Sequence, residues 1–173
     1  MKRTNAREAK TGRFWLRLIW GRRPVWTAAR VFFLIAASLV VFKWILYPVK
    51  ITGRSMEPTC YDGQIGLLNS LAFVWHAPRR GDVVGFRMEE RGPIIVKRVI
   101  GLPGERIAIH CGTVLINGKS ITEPYLEATG AWEWPEETVG DNIYFVSGDN
   151  RSISQQFRVE GGKVLGKLYT WHP

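Results

Sequence analysis

Cysteine and histidine are scarce in this chain, and the scarcity narrows its chemistry. Cys60 and Cys111 are the only cysteines and have no CxxC spacing, which argues against a structural zinc site. They are either bridged, as an oxidising compartment permits, or a pair of free buried thiols. Histidine occurs only at His76, His110 and His172. None stands in a setting that suggests a carboxylate partner, so each reads as an ordinary surface or structural histidine, and a His-based triad is poorly supported. There is no phosphate-cradling glycine loop and no metal-ligand cluster, so no cofactor is implied. Internal repeats and low-complexity tracts are absent. Net charge is also missing where nucleic-acid binding would need it. The chain carries +9, but residues 1–30 hold nine Lys or Arg against Glu8 alone, which leaves +1 for the other 143 residues. A nucleic-acid-binding domain keeps its basic patch on the folded body, so nucleic acid is excluded as a partner.

What is present begins with VFFLIAASLVVFKWILY, residues 31–47, directly after the basic block. A helix of this length rises about 26 Å, near the ~30 Å of a bilayer's hydrocarbon core. Lys43 is its only charge and can snorkel outward. Trp44 and Tyr47 suit one interfacial belt and Trp26 the other. The run is longer than a cleaved signal's core and no small-x-small site follows it, so it reads as a retained anchor. The positive-inside rule then keeps the basic block cytoplasmic. Within that block, 14–26 mixes Trp, Leu and Arg as either an interfacial helix or a solvated tail. The expected organisation is a basic cytoplasmic segment (1–30), a transmembrane anchor (31–47) and an extracytoplasmic β catalytic domain (48–173).

The length leaves room for one domain plus such an appendage. After Pro48 the chain shows short apolar runs punctuated by Gly, Pro and Asp, with no 3.6-residue periodicity. VKITG (49–53), QIGLLN (64–69), GDVVGFRM (81–88), IIVKRVIG (94–101), ERIAIHCG (105–112), TVLING (113–118), DNIYFVSG (141–148) and KVLGKLYTW (163–171) all read as strands. Asn117-Gly118 marks a hairpin with a primed turn. The expected fold class is mainly β, a domain of short strands behind one N-terminal transmembrane helix. LAFVWHAP (71–78) is apolar for a loop and reads as core or as a lip touching the bilayer. EATGAWEWPEETVG (127–140) reads as an acidic surface excursion.

GRSMEPT (53–59) places Ser55 in a turn, which is unremarkable chemistry until a base is found for the hydroxyl. Lys97 is the other residue that stands out. Strand alternation puts Ile95, Lys97 and Val99 on one face and Val96, Arg98 and Ile100 on the other. Apolar neighbours desolvate an ammonium and lower its pKa, as a lysine base requires. The competing reading is a lysine guarding an exposed edge strand.

GRSMEPT, RRGDVVGF (79–86), IIVKRVIGLPGE (94–105) and GDNRSISQQFR (148–158), supported by INGKSITEPY (116–125) and NIYFVSGDNR (142–151), together resemble the type I signal peptidases, the Ser/Lys membrane proteases. The resemblance spans Val49 to Leu168, in family order and behind an apolar anchor. It implies a serine endopeptidase acting on signal-peptide-bearing precursors at the outer face of the cell (inner) membrane. A dedicated peptidase for a pilin or conjugation substrate, or a silent membrane-anchored homologue, are the alternatives. No oligomeric state is implied. By the resemblance Ser55 is the nucleophile, Lys97 the general base, and Ser154 orients the lysine. Met56 lines the substrate-side wall, Pro58 fixes the turn, and Asp149, Asn150 and Arg151 shape the adjoining loop, with Arg98 packed next to the lysine. The oxyanion hole is built around the Ser55 N–H; some members add a hydroxyl two residues earlier, where this chain has Gly53. The chain departs from the family at Gln156-Phe157-Arg158, where Asp-Ser-Arg is usual. The missing aspartate implies that Arg98 and Arg158 lack a partner, and that an unpaired cation depresses Lys97 further.

Overall fold

The computed structural model describes residues 24–126 and 130–170. Residues 1–23, which hold most of the basic block, and His172 lie outside the described residues. The chain divides into two units, Met1–Lys43 and Trp44–Pro173.

Helix α1 runs Pro24–Val40 and passes into a π-helical turn, Val41–Ile45. Val25–Ile45 form 21 residues long and apolar enough to cross a membrane, and Phe32, Phe33, Leu34 and Leu39 are exposed along it. The boundaries differ from the expected 31–47. Helical geometry extends back through Thr27 and Arg30 to Pro24, whose fixed φ suits a first helical turn. At the other end, Leu46 and Tyr47 leave the helix because they pair with a strand.

Among the described residues, the second unit is built from eleven strands in two antiparallel sheets. The first sheet contains β1 (Leu46–Lys50), β2 (Ile65–Asn69), β3 (Val83–Phe86), β4 (Ile95–Gly101), β9 (Ile143–Ser147), β10 (Phe157–Glu160) and β11 (Val164–Tyr169). Its order is β1-β2-β11-β3-β4-β9-β10. The second sheet contains β5 (Arg106–His110), β6 (Thr113–Ile116), β7 (Lys119–Ser120) and β8 (Trp134–Thr138), in the order β7-β6-β5-β8. Pro48 lies in edge strand β1 and Pro135 in edge strand β8. Seven of the eight runs read as strands in the sequence each contain one; VKITG (49–53) overlaps β1 only at Val49 and Lys50, and its remainder lies in the loop that follows. The β6–β7 turn has positive φ at Asn117 (51°) and Gly118 (78°), as a primed hairpin requires. The acidic excursion is a correction: its second half, Trp134–Thr138, is β8, hydrogen-bonded to β5, and Trp134 packs edge-on against Phe145.

Three apolar clusters hold these layers together. Ile100, Ile107, Ile109, Val114, Val139 and Phe145 join the second sheet to the first. Val84, Phe86, Val99, Tyr144, Val146 and Val159 fill one face of the large sheet. Ile51, Met56, Cys60, Leu68 and Leu168 fill the other. The segment after β2 forms turns, with Phe73 packed against the second cluster and Val74 and Trp75 exposed.

Candidate active site

Ser55 stands on the loop between β1 and β2, and the loop is closed tightly around it. Ile51 N donates to Gln64 O (2.8 Å) and Gly63 N to Ile51 O (2.9 Å). Gly53 has φ 93° and donates its N–H to Asp62 Oδ1 at 2.7 Å. A side chain there would be strained, so the backbone itself gives a reason for glycine at this place. Met56 is 1% exposed and belongs to the core cluster with Cys60. It therefore anchors the serine turn from beneath and does not line a substrate-side wall. The Glu57-Pro58 peptide is cis.

Lys97 sits at the middle of β4, which pairs with β3 on one side and β9 on the other. It is opposite Val84 and only 5% exposed. The edge-strand reading is thereby excluded. Its Nζ lies 2.8 Å from Ser55 Oγ and 3.3 Å from Ser154 Oγ. Burial lowers its pKa from the usual 10.5 to about 8, against an opposing pull from the Asp149 carboxylate. An amine that is easily neutral, held against a hydroxyl, can accept that hydroxyl's proton.

The loop after β9 supplies the remaining contacts. Ser154 Oγ accepts the Gly148 N–H at 2.6 Å, and Ser154 N donates to Asn150 O at 3.0 Å. Asn150 N donates to Ser55 O at 3.1 Å. A Cβ on Gly148 would lie 2.1 Å from Ser55 O and 2.4 Å from Ser154 Oγ, so only glycine lets the two serines approach this closely.

Arg98, the neighbour of Lys97, faces the other way. Its Nε and Nη2 donate to Asp149 at 2.8 and 2.6 Å, Nη2 also to Thr59 Oγ1 at 3.0 Å, and Nη1 to Gly81 O at 2.7 Å. Arg158 donates its Nε to Glu137 Oε1 at 3.0 Å and stacks toward Trp134. Neither arginine lacks a partner, which corrects the expectation drawn from Gln156-Phe157. The depression of Lys97 comes from burial instead. Gln156 itself donates to Ser154 O at 3.1 Å, and Phe157 packs edge-on against Phe86.

His76 bonds to Ala77 O and meets Phe73 edge-on, while His110 bonds to Glu133. Neither has Ser55 as a hydrogen-bond partner. Cys60 and Cys111 are free thiols, the first buried and the second exposed. Sequence reasoning gave no role to Thr59, Glu123 and Tyr125. All three lie inside the stretches GRSMEPT and INGKSITEPY, and only the fold reveals that they touch the arginines around the site. Arg151 pairs with Glu123 and Tyr125 stacks 3.9 Å from the Arg98 guanidinium carbon.

The family model described as signal peptidase, peptidase S26, matches residues 25–167. A signal peptidase I of Bacillus licheniformis is 33% identical over 135 residues, 72% of this chain and 72% of the relative. A signal peptidase I of Bacillus caldolyticus is 34% identical over 166 residues, covering 86% and 88% of the two chains. A crystal structure of a signal peptidase I from Enterococcus faecalis aligns at TM-score 0.43 and 31% identity, over 53% of this chain and 97% of that one. On the family match and these relatives, the chain belongs to the signal peptidase family, peptidase S26.

Proposed function

We propose that this protein is a membrane-anchored serine endopeptidase that removes N-terminal signal peptides from exported proteins, with Ser55 as nucleophile and Lys97 as general base. The observation that carries this reading is the 2.8 Å approach of Lys97 Nζ to Ser55 Oγ. Lys97 takes the Ser55 proton as Oγ attacks the scissile carbonyl. The Ser55 N–H stabilises the resulting oxyanion. The Lys97 ammonium then returns the proton to the leaving amine, and an acyl ester remains on Ser55. Water, deprotonated by Lys97, hydrolyses that ester. Ser154 orients the amine throughout, as the carboxylate orients histidine in a Ser-His-Asp triad.

Val25–Ile45 is the membrane span in this reading, with the basic segment on the cytoplasmic side and the β unit outside the cell membrane. Trp75, 82% exposed, and Val74 form the lip that meets the bilayer, where a precursor's apolar segment lies. The pairing of Arg98 and Arg158 with other carboxylates removes the main reason for a silent homologue.

The test is cleavage of a precursor carrying an Ala-x-Ala site in detergent micelles or bilayers. Lys97→Met and Ser55→Ala should each lose activity by roughly 10⁴-fold, while replacing the histidines changes little. Because the base must be neutral and burial sets its pKa at about 8, kcat/KM should fall roughly tenfold per pH unit below that value. Undiminished cleavage by Lys97→Met would overturn the mechanism; absence of cleavage by the wild type across a precursor panel would leave the narrow-specificity or silent alternatives.

A further inference from the structure

Gly148 is held to glycine by the collision a Cβ would make with Ser55 O and Ser154 Oγ, yet glycine is the residue least able to hold its own backbone. The structure supplies the missing restraint through Arg151, whose guanidinium is itself held from outside the loop. Arg151 Nε donates to Gly148 O at 3.1 Å. The rest of that guanidinium is gripped by Glu123, with Nη1 at 3.0 Å and Nη2 at 2.5 Å from the two carboxylate oxygens. The Arg151 side chain is 0% exposed and that of Glu123 is 6% exposed. Such a buried guanidinium needs its counter-charge. The Glu123 carboxylate also accepts the Tyr125 hydroxyl at 2.5 Å, and the Tyr125 ring covers Arg98. Glu123 comes from the segment after β7 and is joined to Lys97 through this chain of contacts.

We propose that Glu123 is a positioning residue for the Ser/Lys pair, fixing Arg151 so that Gly148 presents its N–H to Ser154 Oγ and Ser154 in turn holds Lys97. The inference rests on the catalytic reading above. Without Glu123, Arg151 releases Gly148 O, the glycine regains its freedom, and Ser154 loses the 2.6 Å donor that orients it. The lysine then spends less of its time aimed at Ser55 Oγ. The loss is in the chemical step, since no part of Glu123 faces the precursor in this scheme.

The test is a double-mutant cycle in the full-length protein, with kcat and KM measured for wild type, Glu123→Gln, Ser154→Ala and the double variant. Glu123→Gln should lower kcat by about 10²-fold at unchanged KM, the scale of a small misplacement of catalytic groups. In the Ser154→Ala background the same change should cost less than about threefold, because both act on one contact. Glu123→Asp, which keeps the charge, should recover part of kcat and takes the place of Glu123→Gln in the cycle if that variant does not fold. Multiplicative losses, or a loss confined to KM, overturn the proposal. A second readout does not depend on turnover: amide exchange at Gly148 should be roughly tenfold faster in Glu123→Gln, with β4 amides unchanged. Unchanged exchange at Gly148 overturns the proposal. An inactive wild type, or an active Lys97→Met, counts against the catalytic reading, and the exchange result still decides the role of Glu123.

Discussion

Lys97 and Arg98 are adjacent cations on the same strand, 5% and 8% exposed, and the two faces of β4 treat them in opposite ways. On the Arg98 face a buried carboxylate, Asp149, meets the guanidinium with both oxygens, and a hydroxyl, a carbonyl and an aromatic ring complete the shell. On the Lys97 face the amine has two serine hydroxyls and apolar neighbours but, among the described residues, no carboxylate paired with it. A fully paired cation stays charged and structural. A buried cation met only by hydroxyls is cheap to neutralise, and its neutral form is a base. The difference between the two cations is thus set by where one aspartate points, and in the proposed mechanism it leaves Lys97 available as the base.

Breaking the Arg98 side gives the largest expected effect. Asp149→Ala strands a buried guanidinium, so unfolding titrations should record a loss of about 3–5 kcal/mol; a variant within 1 kcal/mol of wild type would mean that solvent reaches Arg98. The Lys97 side should respond with the opposite sign. The amine's folded pKa, about 8, lies below its ordinary 10.5, so its ammonium form destabilises the fold. Wild-type stability is then fullest above 10.5 and falls as pH drops through about 8. Lys97→Met should accordingly be more stable than wild type at pH 6, by an amount on the order of 1–3 kcal/mol, with the advantage fading toward pH 11. Denaturant titrations at the two pH values check the sign. The smallest effect belongs to the exposed pair Arg158–Glu137, where Arg158→Ala should cost less than about 1 kcal/mol and leave kcat near the wild-type value.

How much of this was legible in the sequence follows from how local each signal is. Strands with clean apolar alternation, such as IIVKRVIG, carry their own pattern, and the stretches holding Ser55, Lys97 and Ser154 could be recognised together. β8 was not legible, since WPEET contains a proline and two glutamates and becomes a strand only through β5. β10, FRVE, is too short to show a period. The partners of Arg98 and Arg158 could not be read at all, because Asp149 lies 51 residues from Arg98 and Glu137 lies on the second sheet. The absent aspartate leaves neither arginine unpaired, because other carboxylates fill its electrostatic place. Met56 is a related case: the residue after Ser55 points into the core, which its position in the motif does not reveal.

The margins of the two sheets carry a further consequence. Edge strands β1 and β8 each contain a proline, β10 carries Arg158 and Glu160, and β7 is two residues long. None of the four margins offers a second chain a long, uninterrupted row of unpaired amides. Among the described residues, the strand-forming tendency that builds the site is thus kept from offering neighbouring copies a ready edge to extend.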